Sequence, residues 1–254
     1  MTAFFLGQTE RALFGIHHAP RGEAVGAVVL CNSWGREYQF AHRALRVLAK
    51  RLAERGLHVL RFDYSGVGDS WGHTTDGRVP QWLDDIDTAI EELRAMTGNG
   101  RVHLVGIRLG GLLAALVTAR RRDVDQLVLW DPITHGTDWL ATMEQYDADA
   151  AIGSNDTMEL DGQLVSRALR NELAALSLSQ VRETLADAQY PYAELRLLWT
   201  QPETADAVRE TFGDTPRAEV RVMEDVAPWL EDPSIWSGLI PVKSIAAVAA
   251  WMAG

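Results

Sequence analysis

The residues able to do chemistry gather at a few points of this chain. Arg108 stands between glycines in Gly106-Ile107-Arg108-Leu109-Gly110-Gly111. There a short apolar run from Val102 turns sharply into a Leu- and Ala-rich stretch ending at Arg121. A guanidinium stays protonated at working pH, so Arg108 is neither base nor nucleophile. It instead offers a fixed charge and forked donors at a helix N-terminus, which suits a carboxylate or phosphate. The other reading of Arg108 is an internal ion pair with Glu37 or Asp131 that plugs the site. Both hold in turn if a ligand displaces the internal partner. Asp131 and His135 form the carboxylate–imidazole pair nearest a strand end and are the acid–base candidates, against the plainer reading of a structural histidine. The polar stretch Asn32-Ser33-Trp34-Gly35-Arg36-Glu37 adds a hydroxyl, a cation and a carboxylate. Cys31 reads as a buried structural thiol rather than a nucleophile, and Ser33 as a hydroxyl with no histidine placed to activate it.

These groups need a scaffold, and the hydropathy pattern supplies one. Ala3–Leu6 and Arg11–His17 read as an opening antiparallel pair. Val25–Cys31, Leu57–Phe62, Val102–Ile107 and Val124–Trp130 read as buried strands. Helical spacing lies between them at Tyr38–Arg55 and Trp82–Met96, the first closed by Gly56. This alternation predicts a mostly parallel sheet covered on both faces, with ligands at the carboxyl ends of its strands. From Gly136 to about Tyr190 the rhythm breaks. Gly153-Ser154-Asn155-Asp156 reads as a mobile loop, and Leu164–Leu176 and Leu178–Ala188 as helices, so residues 136–190 are expected to form a helical lid on a core of 1–135 and 191–254. Glu194–Thr200, a helix at Thr204–Phe212, a last strand at Glu219–Met223 and a helix at Pro241–Met252 complete the pattern. Trp34, Trp130, Trp139, Trp229 and Trp236 fall near strand-end loops or the lid, where aromatic side chains either pack the core or wall a pocket.

Composition narrows the partners. A formal net charge of −11 argues against nucleic acid or an anionic membrane surface. One cysteine excludes an internal disulfide, and no apolar run is long enough to span a bilayer or act as a signal peptide. A cytoplasmic protein is expected. There is no metal-ligand spacing, phosphate loop or dinucleotide fingerprint, so no cofactor is expected.

The chain resembles the α/β-hydrolase superfamily over essentially its full length. The resemblance rests on Asn32-Ser33-Trp34-Gly35-Arg36-Glu37, on Phe62-Asp63-Tyr64-Ser65-Gly66-Val67-Gly68-Asp69-Ser70, on Gly106 to Gly111, and on Leu127-Val128-Leu129-Trp130-Asp131-Pro132. The Gly-Arg-Glu-Tyr loop and the Arg-Leu-Gly-Gly turn look most like the branch of exosortase-associated and specialised-metabolite proteins. The resemblance implies an eight-stranded sheet with a nucleophile elbow at Gly106–Gly110, where the family's serine place holds Arg108. It implies an oxyanion hole from the amides of Leu109 and of Ser33 or Trp34. It makes Asp63, Ser65, Gly66, Gly68 and Asp69 a loop-anchoring motif. The family also needs a histidine after the last strand, but the seven histidines end at His135, and Glu224-Asp225-Val226-Ala227-Pro228-Trp229 offers none. Asp131 or Glu203 remains as an acid. The expected ligand set is Arg108, Leu109, Ser33, Trp34, Arg36, Glu37, Tyr64 and Trp130, and the expected partner is an anionic small-molecule or peptide-like metabolite. The implied function is non-hydrolytic: an epimerisation or elimination in specialised metabolism. The rivals are a non-catalytic accessory protein serving a biosynthetic partner, and an esterase or thioesterase using a relocated nucleophile.

Overall fold

Near-continuous apolar runs become the central strands. Gly26–Cys31 (β3), Val102–Ile107 (β5) and Gln126–Trp130 (β6) lie side by side, with β3 and β6 buried at every residue. Strands covered on both faces require that pattern. The computed structural model describes residues 1–98, 100–145, 156–186, 194–200, 209, 212, 218–230 and 239–252. The other strands of the sheet are Thr2–Leu6 (β1), Leu13–His18 (β2), Leu57–Phe62 (β4), Glu194–Trp199 (β9) and Ala218–Val222 (β10). Their spatial order is β1-β2-β4-β3-β5-β6-β9-β10. The β1–β2 and β2–β4 pairs are antiparallel and all later neighbours are parallel, giving the mostly parallel eight-stranded sheet expected from the sequence.

Helices cover both faces. Gly35–Ala53 (α1) buries Ala41, Leu45, Leu48 and Leu52, one stripe at helical spacing, against Val28, Leu30 and Val59. Val79–Thr97 (α2) and Leu109–Arg121 (α3) bury Trp82, Ile86, Ile90, Leu112 and Leu113 on the opposite face. Each such fully buried Leu or Ile contributes about 1.5–3 kcal/mol of transfer free energy. Val242–Trp251, the closing helix α7, returns to the α1 face with Ile245 and Val248.

Between β6 and β9 lie Gly136–Glu144 (α4), Thr157–Leu160 (β7), Gln163–Ser166 (β8), Arg167–Ala174 (α5) and Ser179–Ala186 (α6). This segment is not purely helical. Its β7–β8 hairpin pairs Leu160 with Gln163, and β8 occupies the start of the expected 164–176 helix. The signal was present in Asp161-Gly162, whose φ angles of 54° and 71° are those of a two-residue hairpin turn. Leu160, Val165, Leu169, Leu173 and Val181 join the same core as α2 and α3, so the segment is packed onto the domain. Residues 153–155, 187–193, the 204–212 helix apart from 209 and 212, Glu203 and Trp236 lie outside the described residues.

Candidate functional site

The turn from β5 into α3 is set by sterics before any chemistry. A Cβ on Gly106 would meet the Gly110 carbonyl oxygen at 2.4 Å, and one on Gly110 would meet the Asn32 and Cys31 carbonyl oxygens at 2.2 and 2.3 Å. Only glycine lets the strand end, the turn and the end of β3 pack this closely. Between them Arg108 is held at φ 52° and ψ −122° as the first cap of α3. A non-glycine residue in that region costs about 1–3 kcal/mol, which the surrounding structure must outweigh. Among the described residues Arg108, Arg122, Asp131 and Asp161 have positive φ without being glycine. Arg122 caps a helix. The other three meet at or beside this site.

Arg108 is closely partnered. Its Nε donates to Glu37 Oε1 at 2.9 Å and its Nη1 to the Asp131 main-chain oxygen at 3.0 Å. The other oxygen of Glu37 accepts from Ser33 Oγ at 2.6 Å. Both charged side chains are mostly enclosed, 13% and 11% exposed. Glu37 lies in the first turn of α1, where the helix dipole favours a carboxylate. The internal pair with Glu37 is therefore formed, and the contact to Asp131 goes to its backbone rather than its carboxylate. A guanidinium has five N–H bonds. Two are engaged here, which leaves three without a described acceptor.

The Asp131 carboxylate has another use. Its oxygens accept from Thr200 N at 2.7 Å, Thr200 Oγ1 at 2.6 Å and the Trp229 indole Nε1 at 3.1 Å. Burial pushes its acidity toward the neutral form, while Thr200, Arg108 and Trp229 oppose that. The expected Asp131–His135 couple is not formed. His135 caps α4 at the surface, with Nδ1 3.7 Å from Asp138 Oδ2, because the chain runs out from buried Ile133 through Thr134 to exposed His135 while the Asp131 side chain stays buried. The roles of Thr200 and Trp229 were not read from the sequence. The signal was weak: an indole N–H donor standing after the last strand.

The other expected ligand residues divide in the same way. Ser33 is fully buried, and its amide donates to the Asn32 side chain at 2.8 Å. Leu109 and Trp34 are core, with Trp34 packed on Trp82 and Trp139. Tyr64 is enclosed between Phe62 and Trp82, and Trp130 stands edge-on to Trp229 while its main-chain oxygen accepts from Arg108 N at 3.1 Å. The Cys31 thiol is fully buried and pushed up to about 12, which removes it as a nucleophile. Arg36 turns the other way: its amide and Nε donate to the two oxygens of buried Asp161 on the β7–β8 turn. A Cβ on Gly35 would lie 2.2 Å from that carboxylate, so the glycine lets the hairpin dock on the start of α1. The loop after β4 is structural in its bonding. Asp63 accepts from Tyr38 Oη and Asp69 N, and Asp85 accepts from the amide and hydroxyl of Ser65.

Among the described residues no group of three or more His, Cys, Asp and Glu side chains is arranged to hold a metal, and no helix is long and apolar enough to cross a membrane. A search of curated proteins finds no match. Solved structures do match. Est1E from Butyrivibrio proteoclasticus with ferulic acid bound has a TM-score of 0.69 at 14% identity, covering 99% of this chain and 96% of that one. Alpha/beta hydrolase domain-containing protein 10 from mouse gives 0.63 at 16% identity, with 99% and 97% covered. The thioesterase domain from the curacin biosynthetic pathway gives 0.60 at 17% identity, with 100% and 99% covered. Identities this low speak for the shared α/β-hydrolase fold alone. The family model described as serine aminopeptidase, S33, matches residues 22–181, more than half of the sequence, and the chain belongs to that family of α/β hydrolases.

Proposed function

We propose that this chain binds an anionic, carboxylate- or phosphate-bearing small or peptide-like ligand at Arg108 and does not run Ser-His-Asp hydrolysis. The observation that carries the reading is the elbow itself. Its strained backbone is kept, yet it presents a guanidinium for which three N–H bonds have no acceptor among the described residues. Two further facts support it. The sequence has no histidine beyond His135, and the buried Asp131 carboxylate accepts from the Trp229 indole and Thr200 rather than from an imidazole. The ligand's anion takes the open donors, or competes with Glu37 for Nε.

The non-hydrolytic step assigned to the site is an epimerisation or elimination, with the guanidinium stabilising a carboxylate or enolate. Glu37, rather than His135, is the proton acceptor within reach of Arg108. Residues 136–190 serve as the lid over the strand ends, latched by Asp161 on Arg36. The Gly-Arg-Glu-Tyr loop and Arg-Leu-Gly-Gly turn favour a place in the specialised-metabolism branch.

A second reading has one observation in its favour: Ser33 Oγ lies 2.6 Å from Glu37, the geometry of a relocated hydroxyl nucleophile. The test measures thermal stabilisation by a panel of carboxylated and phosphorylated metabolites, together with turnover of an activated ester. The proposal expects saturable stabilisation that is lost in Arg108→Gln, and no ester turnover above background. Turnover abolished by Ser33→Ala would establish the second reading instead. No ligand response and no turnover would leave an accessory protein without a small-molecule site.

A further inference from the structure

A second guanidinium is buried in the sheet with far less company. Arg61 on β4 is 9% exposed. Its one hydrogen bond among the described residues runs from Nε to His18 Nε2 at a long 3.4 Å, and no described carboxylate lies within ion-pair distance. Buried charges are normally paired, because an unpaired one loses its hydration without return. Arg61 lines a cavity of about 310 Å³ on the α1 face of the sheet, at the lower end of the range for ligand pockets. Leu30, Leu45 and Phe62 give it apolar walls, and exposed His42 stands at its edge. None of Arg108, Glu37, Ser33 and Asp131 lines it.

We propose that this cavity is a second ligand site, in which Arg61 receives the carboxylate of a small organic acid with an apolar body. The charge pattern selects a monoanion. Asp63 and Asp69 also line the cavity, and Asp63 already accepts from Tyr38 Oη at 2.8 Å and Asp69 N at 3.2 Å. A phosphate dianion would meet that negative wall, whereas one carboxylate matches one guanidinium bidentately. The apolar walls take the alkyl or aryl remainder.

The full chain is titrated by calorimetry with 3-phenylpropionate and hexanoate, with 3-phenylpropanamide and inorganic phosphate as controls. The acids bind saturably to the wild type and to Arg108→Gln, while the amide and phosphate bind at least tenfold more weakly. Arg61→Gln weakens the acids at least tenfold. His42→Trp, at an exposed position that does not test folding, fills the cavity's edge and does the same. No binding of either acid to the wild type overturns the proposal. So does binding retained in both Arg61→Gln and His42→Trp, or an amide that binds as well as the acid. Loss in Arg108→Gln alone assigns the acid to the elbow, which overturns this site and leaves the function proposed for Arg108 standing.

Discussion

Two guanidinia, Arg108 mostly enclosed and Arg61 buried, follow opposite logics in this molecule. Arg108, at the tip of the elbow, is met by a carboxylate and a carbonyl oxygen, and its backbone bears the strain of that position. Arg61 lies in strand geometry, and its one hydrogen-bond partner among the described residues is the His18 imidazole, with the Asp63 carboxylate acting on it from further off. At the elbow a ligand must add to an internal ion pair or displace it. At β4 it would supply the counter-charge itself. The difference teaches that burial alone does not tell a structural charge from a receptive one; the count of its partners does.

The harshest way to break the comparison is to remove the elbow's frame. Gly110→Ala drives a Cβ into two main-chain oxygens that cannot yield. A loss of more than about 4 kcal/mol in denaturant unfolding is expected. A loss under 1 kcal/mol would mean the elbow is not packed as described. Glu37→Gln acts on the elbow's ion pair and leaves Arg61 untouched. It is expected to cost about 2–4 kcal/mol by stranding a mostly enclosed guanidinium. An anionic ligand at Arg108 should restore part of that stability and raise the variant's melting temperature more than the wild type's.

The β4 side is tested by pH. His18 is lowered to about 4 in the fold from an ordinary 6.5, by burial first, then by Arg61, with smaller contributions from the amino terminus, His17 and Lys50. As pH falls the unfolded chain takes up the proton first. The associated stability is therefore whole above about pH 6.5 and is lost progressively down to about 4. Unfolding free energies between pH 7 and 4 should show this slope, and His18→Gln should flatten it; an unchanged slope would assign it to other groups. The mildest change is Trp229→Phe. It removes one of the three donors to the Asp131 carboxylate among the described residues and is expected to cost about 1 kcal/mol. An effect above 3 kcal/mol would make the indole the main support of that carboxylate.

Much of the frame was legible in the sequence. The buried strands, α1, α2 and α3 follow from apolar period alone, and the elbow glycines mark a close approach of main chain to main chain that the fold contains. Boundaries moved by a few residues: α1 begins at Gly35 rather than Tyr38, because the loop residues Arg36 and Glu37 complete its first turn. The β7–β8 hairpin was missed because the Leu spacing after 164 outweighed the Asp161-Gly162 turn signal. At the site, Arg108's pairing with Glu37 was foreseen as one of two readings. The Asp131–His135 couple was drawn from closeness in sequence, and the chain reaches the surface only after buried Ile133, leaving His135 exposed and Asp131 inside.

By itself the sequence determined the strand and helix segments, the sharp turn after β5 and the cation placed in it, because each depends on residues within a few positions of one another. Only the tertiary structure decided the partners. Glu37 and Arg108 are 71 residues apart, Asp131 and Thr200 69, Asp131 and Trp229 98, and Arg36 and Asp161 125. Strand order and register bring those groups together, and a local pattern of side chains carries no record of which strand will lie beside which.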